Sequence, residues 1–404
     1  MPKLTTRGIA CSLYLMVFSL FVIGSCVKES FSPSQADSFI RFYGSYRHDE
    51  GIDVVKLTDG GYAFIGTTIT ESLNQKIIFY RTDRYGNELW EPGKFGGPFE
   101  NNAYSFKLLR DGGFAILGST FVNAKGGMLV SNMYLVRTDE RGDSLWTKSY
   151  GGFSDETGFD LAETSDGGFV LIGSSEDFEK DRLDIFLVGT DSRGDTLWTR
   201  THGGERDDAG KFITETETGF IYTGYTNSIS QAGQSNSNIF IVKTNALGRI
   251  THPWTYGSTS DDSGKSIIPL PGGGYLVLGS TINPSTNIKN IFLARVEEDI
   301  SKPVWIREIG GEINHTANCF KITGEGDIII VGTKEISAVD HAIFLLKTDV
   351  EGNQKFKKTY SGMGKQRANA VDLTDDGGYI IIGSTELGGN SMITLIKTKA
   401  GGEI

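Results

Sequence analysis

The chain has 404 residues, with 50 acidic against 39 basic side chains, a formal net charge of −11 and only three cysteines. An acidic protein has no electrostatic reason to bind nucleic acid. A chain this long can bury a large apolar core without disulfides.

Lys3 and Arg7 precede an apolar run from Ile9 to Ile23, followed by Gly24-Ser25-Cys26. A basic start, a short apolar core and small residues before a cut site predict a signal peptide over 1–25. The run is shorter than the ~20 residues a spanning helix needs. Gly-Ser-Cys resembles the lipobox of bacterial lipoproteins, which implies that Cys26 is diacylated and becomes the mature N-terminus. Two acyl chains suffice for stable anchoring. Cleavage would remove Lys3, Arg7 and no acid, taking the charge from −11 to −13. Residues 26–37 then form the lipidated Cys and a polar tether containing Pro33, and the expected location is the bacterial cell envelope, anchored to the outer membrane. Cys319, in the strand pattern Ala317-Asn318-Cys319-Phe320, is left without a disulfide partner and is expected to be a buried, inert thiol.

From residue 38 onward the chain repeats. A turn of the type Asp166-Gly167-Gly168 opens an apolar run, which ends in a glycine. That glycine recurs as Gly66, Gly118, Gly173, Gly224, Gly279, Gly332 and Gly383, at spacings of 52, 55, 51, 55, 53 and 51 residues. A second turn, Asp191 to Gly194 and its equivalents, follows each copy. Both turns need a residue with φ > 0, which glycine supplies without strain. Short apolar runs bounded by such turns are strands, and four per unit at a period near fifty predict an all-β, seven-bladed β-propeller over 38–404. The last copy stops before its fourth strand, while Phe39 to Gly44 has that strand's spacing. The N-terminal strand is therefore expected to complete the last blade and leave no open edge. Trp90, Trp146, Trp198, Trp254 and Trp305 are expected to form one structural column, filling the space between neighbouring blades.

The short turns predict a scaffold face. The loops between second and third strands, which vary in length, and the blade-to-blade crossovers share the opposite face, where binding usually resides. The crossovers carry acidic pairs: Asp155-Glu156, Asp207-Asp208 and Asp261-Asp262, with Asp49, Glu100 and His315 at aligned positions. One reading is a site for Ca²⁺, which takes oxygen ligands, or for a cationic partner. The other is that each acid braces its own loop by accepting backbone N–H groups. Repetition in every unit favours bracing, and no cofactor is predicted.

The five histidines are scattered, and no nucleophile-elbow pattern is present. Residues 111–152 and 166–204 best carry a pattern of Asp-Gly-Gly-Phe/Tyr, Gly-Ser-Thr, Lys/Arg-Thr-Asp-x-x-Gly-x-x-x-Trp and Gly-Gly. This pattern is similar to a repeat of bacterial exported proteins and lipoproteins that has no agreed activity. The resemblance implies fold and export, and copies five and six depart from it at the turns. The function expected is that of a non-enzymatic, lipid-anchored module binding an envelope protein or glycan. The alternative is a propeller glycan hydrolase or lyase acting through Asp155, Asp207 and Asp261.

Overall fold

The two glycine turns form as their residues require. Gly60, Gly112, Gly167 and Gly377 take φ of 83°, 87°, 83° and 78°. In the second turn Asp191 Oδ1 accepts the backbone N–H groups of Arg193 (2.8 Å) and Asp195 (2.9 Å) while Gly194 takes φ of 77°. A computed structural model describes residues 37–404 except 46, 125–126, 178–181, 230–235 and 363. The expected signal peptide, Cys26 and the tether up to residue 36 lie outside the described residues.

Among the described residues there are twenty-eight strands, numbered in chain order, and no helix. The first complete unit is β2 (Glu50–Lys56), β3 (Tyr62–Ile69), β4 (Gln75–Thr82) and β5 (Gly93–Phe95), paired antiparallel in that order. Four further four-stranded sheets repeat this order. The remaining eight strands form one sheet whose two four-stranded halves meet only at the parallel bridge His341–Lys365. β1 (Phe39–Tyr43) is the outer strand of the last half and pairs antiparallel with β28 (Asn390–Thr398), Phe39 opposite Lys397. Four strands per unit fit seven units.

Each unit is apolar on both faces, so it must be covered on both sides. Hydrophobic clusters accordingly join consecutive units, for example Ile65 and Phe79 with Phe106 and Phe114. The last such cluster packs Ile382 and Leu395 on Phe64 and Tyr80, bringing the end of the chain back to its start. The first strands of successive units, β2, β6 (Asn101–Leu108), β10 (Glu156–Glu163), β14 (Asp208–Thr216), β18 (Ser263–Pro269), β22 (His315–Ile322) and β26 (Lys365–Leu373), contact one another in a closed series. They therefore surround the central channel, and the fold is a β-propeller.

The recurring glycine follows from backbone approach. Gly66, Gly118, Gly173, Gly224, Gly279, Gly332 and Gly383 each pair with Gly or Ala of the first strand. A Cβ at Gly279 would lie 2.6 Å from the Ser263 carbonyl oxygen, and the other six meet the equivalent carbonyl.

The tryptophans divide. Trp146 and Trp198 are partly buried and lie against the glycine of the next unit's second turn: a Cβ on Gly194 would be 2.7 Å from the Trp146 ring, and one on Gly248 would be 2.6 Å from Trp198. Trp305 stands the same way against Gly352, at 3.2 Å. Trp254 is offset: it pairs with Ile241, and His252 occupies the column position opposite Lys243. Trp90 lies outside its strand and is 38 % exposed, because Pro92 has no N–H to extend the three-residue β5. The tyrosine at the end of the fourth strand adds a second tie, as Tyr150 Oη donates to the Gly194 carbonyl (2.8 Å) and Tyr43 Oη to that of Gly86 (2.6 Å).

Candidate functional site

The crossovers and the loops between second and third strands are bonded to one another at one end of the units. Asn227 N–H donates to the Asp207 carbonyl (2.9 Å) and Asp262 N–H to that of Ser237 (2.9 Å). In six of the seven crossovers the second residue of the aligned pair is buried, Gln366 being half-buried, and in the four where that residue is an acid the same contact forms. The acid accepts the backbone N–H four positions earlier: Ser45 to Asp49 (2.5 Å), Gly152 to Glu156 (3.3 Å), Gly204 to Asp208 (2.9 Å) and Ser258 to Asp262 (2.6 Å). The first residue reaches the preceding unit and accepts an N–H near the start of its third strand: Ser131 to Asp155 (2.6 Å), Leu183 to Asp207 (2.9 Å) and Ser237 to Asp261 (2.9 Å). Glu100 is exposed, and its backbone carbonyl accepts Phe121 N–H (3.2 Å). At His315, Lys357 Nζ donates to Nε2 (2.8 Å), which puts the ring proton on Nδ1 facing the Ile313 carbonyl (2.9 Å). Burial and the Lys357 charge lower the pKa of this histidine. Burial pushes Glu156 up to about 7.

The aligned acids thus brace individual loops and do not converge. Among the described residues no group of three or more His, Cys, Asp or Glu is placed to share a metal ion. A carboxylate's partner here is a backbone N–H in a folded loop, which residue type alone does not reveal.

The channel wall is a different environment. In every first strand the ladder register shifts just after the small residue, leaving one bulged residue unpaired: Ile52, Tyr104, Phe159, Lys211, Lys265, Asn318 and Asn369. Below this ring the charges are matched. Asp160 accepts Ser105 Oγ (2.6 Å), Lys107 Nζ (2.9 Å) and Ile213 N–H (3.0 Å), tying β6, β10 and β14 together. Lys321 lies 3.6 Å from Asp372. Asp53 is raised by burial, against the pull of Lys107 and Lys321.

In the ring itself, Lys211 Nζ sits 3.2 Å from the centre of the Phe159 ring and 5.8 Å from that of Tyr225. Tyr104 meets Phe159 edge-on at 5.4 Å and is 37 % exposed. Burial, with the Lys265 charge adding to it, lowers Lys211 to about 7. Burial and Lys289 lower Lys265. Sequence reasoning missed both lysines. The available signal was their position immediately after the aligned Gly210 and Gly264.

A second overlooked feature is apolar exposure on the loop face. Leu73, Met128, Leu129, Ile229, Ile336, Val339 and Leu387 project from loops between second and third strands or beside them, and Phe153 projects from a crossover. Phe153 is 61 % and Val339 67 % exposed. The turn face carries a cleft of about 530 Å³ between the first two complete units, lined by Trp90, Arg81, Asp59, Arg110 and Arg141. Arg81 is paired there with Asp59, and Arg141 lies 5.7 Å over the Trp90 ring.

No family model matches the chain. The regulatory protein FlaEY of Caulobacter vibrioides is 22 % identical over 223 residues, which cover 49 % of this chain and 23 % of that protein. The chain therefore spans less than a quarter of that relative's length. Among solved structures, a polysaccharide lyase of family PL25, an ulvan lyase, superposes with a TM-score of 0.57 at 11 % identity, covering 90 % of this chain and 96 % of that one. YCF48 bound to D1 peptide superposes with a TM-score of 0.51 at 9 % identity, covering 90 % and 95 %. The β-propeller domain of the Trilobed protease from Pyrococcus furiosus gives 0.49 at 11 % identity, covering 87 % and 94 %. At such identities the first two likenesses are of fold alone, and with the closed series of four-stranded sheets this chain is a repeat-built β-propeller.

Proposed function

We propose that the chain is a seven-bladed propeller of the bacterial exported-repeat type, closed by β1 and anchored at the outer membrane through lipid on Cys26. It works as a non-catalytic binding module for an envelope protein or glycan. The observation that carries this reading is the set of exposed apolar residues on the loop face, led by Phe153, Ile336 and Val339. Loop tips held on a rigid frame and left apolar toward solvent are what a partner surface needs. The enzyme alternative requires Asp155, Asp207 and Asp261 to be free for chemistry, whereas each holds a backbone N–H.

Crosslinking capture from native membranes tests the module. Wild type should recover a defined partner set, and the variant Phe153→Ser/Ile336→Ser/Val339→Ser should lose it. Equal capture by both proteins would refute the loop face as the binding surface. Release of unsaturated uronates from an acidic polysaccharide by wild type would refute the non-catalytic reading. The anchor is tested by mass: the wild-type N-terminal peptide should carry acyl groups on Cys26, and Cys26→Ser should carry none.

A further inference from the structure

The ring of bulged residues is chemically lopsided. Ile52, Asn318 and Asn369 are neutral and occupy adjoining units, with both Asn side chains bonded to backbone carbonyls of a neighbouring first strand (2.8 Å each). The other four positions run consecutively as Tyr104, Phe159, Lys211 and Lys265. We infer that this arc, at the channel end nearest the crossovers, is a binding subsite for the acid group of a sugar. Lys211 and Lys265 would hold the carboxylate or sulfate ester, and Tyr104 would lie under the ring.

Three observations support it. First, neither amine has a counter-charge. Among the described residues no carboxylate pairs with Lys211 or Lys265, and the charges that act on them are cationic: Lys265 on Lys211, and Lys289 on Lys265. The lysines deeper in the channel are matched, Lys107 by Asp160 and Lys321 by Asp372. Partly buried like charges without a partner are unfavourable, and in a chain of net charge −11 suitable acids are not scarce.

Second, the acids nearest in sequence are otherwise engaged. Asp207 and Asp208 precede Lys211, and Asp261 and Asp262 precede Lys265; all four accept backbone N–H groups of the loops. The anion that would neutralise the amines must therefore come from outside the chain. Third, the site has a flat apolar side. The Phe159 face is taken by the Lys211 amine at 3.2 Å, which fixes that amine in place, while Tyr104 beside it presents open ring surface. A fixed cation next to an exposed aromatic ring matches a pyranose that bears an acid on its edge and C–H groups on its face. This inference is independent of the partner captured by the loop tips.

The test is calorimetric titration of the full-length protein in detergent micelles with three oligosaccharides of similar length: oligogalacturonate, dextran sulfate and unsubstituted dextran. Wild type should bind at least one acidic oligosaccharide and not dextran, with affinity that falls as salt rises. Preference between the two acidic arms identifies carboxylate or sulfate as the ligand's acid. Lys211→Met and Lys265→Met should each weaken binding by about 10-fold or more, the worth of one charge-assisted hydrogen bond. Tyr104→Ala should weaken oligosaccharide binding and leave that of inorganic sulfate unchanged. Binding of neither acidic oligosaccharide, equal binding of dextran, or undiminished binding by the double Met variant would overturn the site. Wild-type titration decides the first two outcomes even where a variant does not fold, and Lys211→Gln/Lys265→Gln provides a second route to the third. Loss of partner capture by the loop-tip variant with acidic-sugar binding retained would separate this subsite from the partner surface.

Discussion

Removing the Lys211 amine should stabilise the protein, and the gain should depend on pH in a defined direction. Phe159 from β10 and Tyr225 from the neighbouring second strand pack against it, and the charge that acts on it is that of Lys265 in β18, none of them acidic. Burial, with Lys265 adding to it, takes the amine from 10.5 to about 7. At about 1.4 kcal/mol per pH unit this corresponds to a ceiling of about 5 kcal/mol against the charged form, and partial solvent exposure brings it to roughly 2–3 kcal/mol. Between about 7 and 10.5 the unfolded chain holds a proton at Lys211 that the folded chain has released, so wild-type stability rises with pH across that window. Below about 7 both states are protonated and the full cost is present. Methionine has similar length, no charge and a favourable thioether–aromatic contact. Lys211→Met should therefore raise the melting temperature by roughly 3–5 °C at about pH 6, and the gain should shrink steadily toward about pH 10. The assay is thermal unfolding of both proteins, free of ligand, across that range. A variant no more stable than wild type, or a gain that does not change with pH, would refute the reading of Lys211 as an unpaired, partly buried cation.

Other perturbations probe the frame. Gly194→Ala combines a positive φ with a Cβ 2.7 Å from Trp146, whereas Gly112→Ala has the same backbone problem but open space. Gly112→Ala should cost about 1–2 kcal/mol and Gly194→Ala about 1–3 kcal/mol more, read from denaturant midpoints; equal costs would mean that Trp146 does not pack on that turn. Asp160→Ala should cost about 3–5 kcal/mol because it strands Lys107, and adding Lys107→Met should recover part of the loss, as a double-mutant cycle would measure. Deleting Ser38 to Gly44 removes β1 and exposes the edge of β28, so it should cause aggregation or loss of cooperative unfolding; a deletion that melts like wild type would rule out β1 as the closing strand.

What could be read from the sequence tracks how local each constraint is. The glycines of the two turns were legible because φ > 0 is a demand of a few adjacent residues. The glycine inside each second strand was legible as a column, although its cause, a neighbouring carbonyl at the register shift, became visible only in three dimensions. Trp146, Trp198 and Trp305 stand at the same ladder position just after the second turn, whereas Trp254 lies two residues further along an unbroken strand and Trp90 precedes the strand that Pro92 shortens. The acidic pairs and their bracing of backbone N–H groups could be expected from repetition, but the partners could not: Asp208 faces the Gly204 N–H of its own crossover, while Asp207 reaches Leu183 of the preceding unit. Lys211 and Lys265 left no repeating signal, since no other unit has a lysine at that position.

That lack of repetition has a physical origin. The small residue before each bulge is fixed by the backbone opposite it, and the residues after the bulge return to the ladder and the core, as Leu161, Ile213 and Ile267 do. The bulged residue alone has no ladder partner in its own sheet, so strand pairing does not set its identity. Frame stability therefore places little constraint on its identity, and Ile, Tyr, Phe, Lys and Asn all occur there. A position that the frame leaves free is where a repeat-built ring can become asymmetric without loss of stability. Two aromatic residues followed by two unpaired amines make that asymmetry directional. The ligand-facing chemistry of this propeller is thus concentrated over β6, β10, β14 and β18, and substitutions at Ile52, Asn318 or Asn369 should leave binding of an acidic sugar unchanged where those at Lys211 and Lys265 each weaken it by about 10-fold or more.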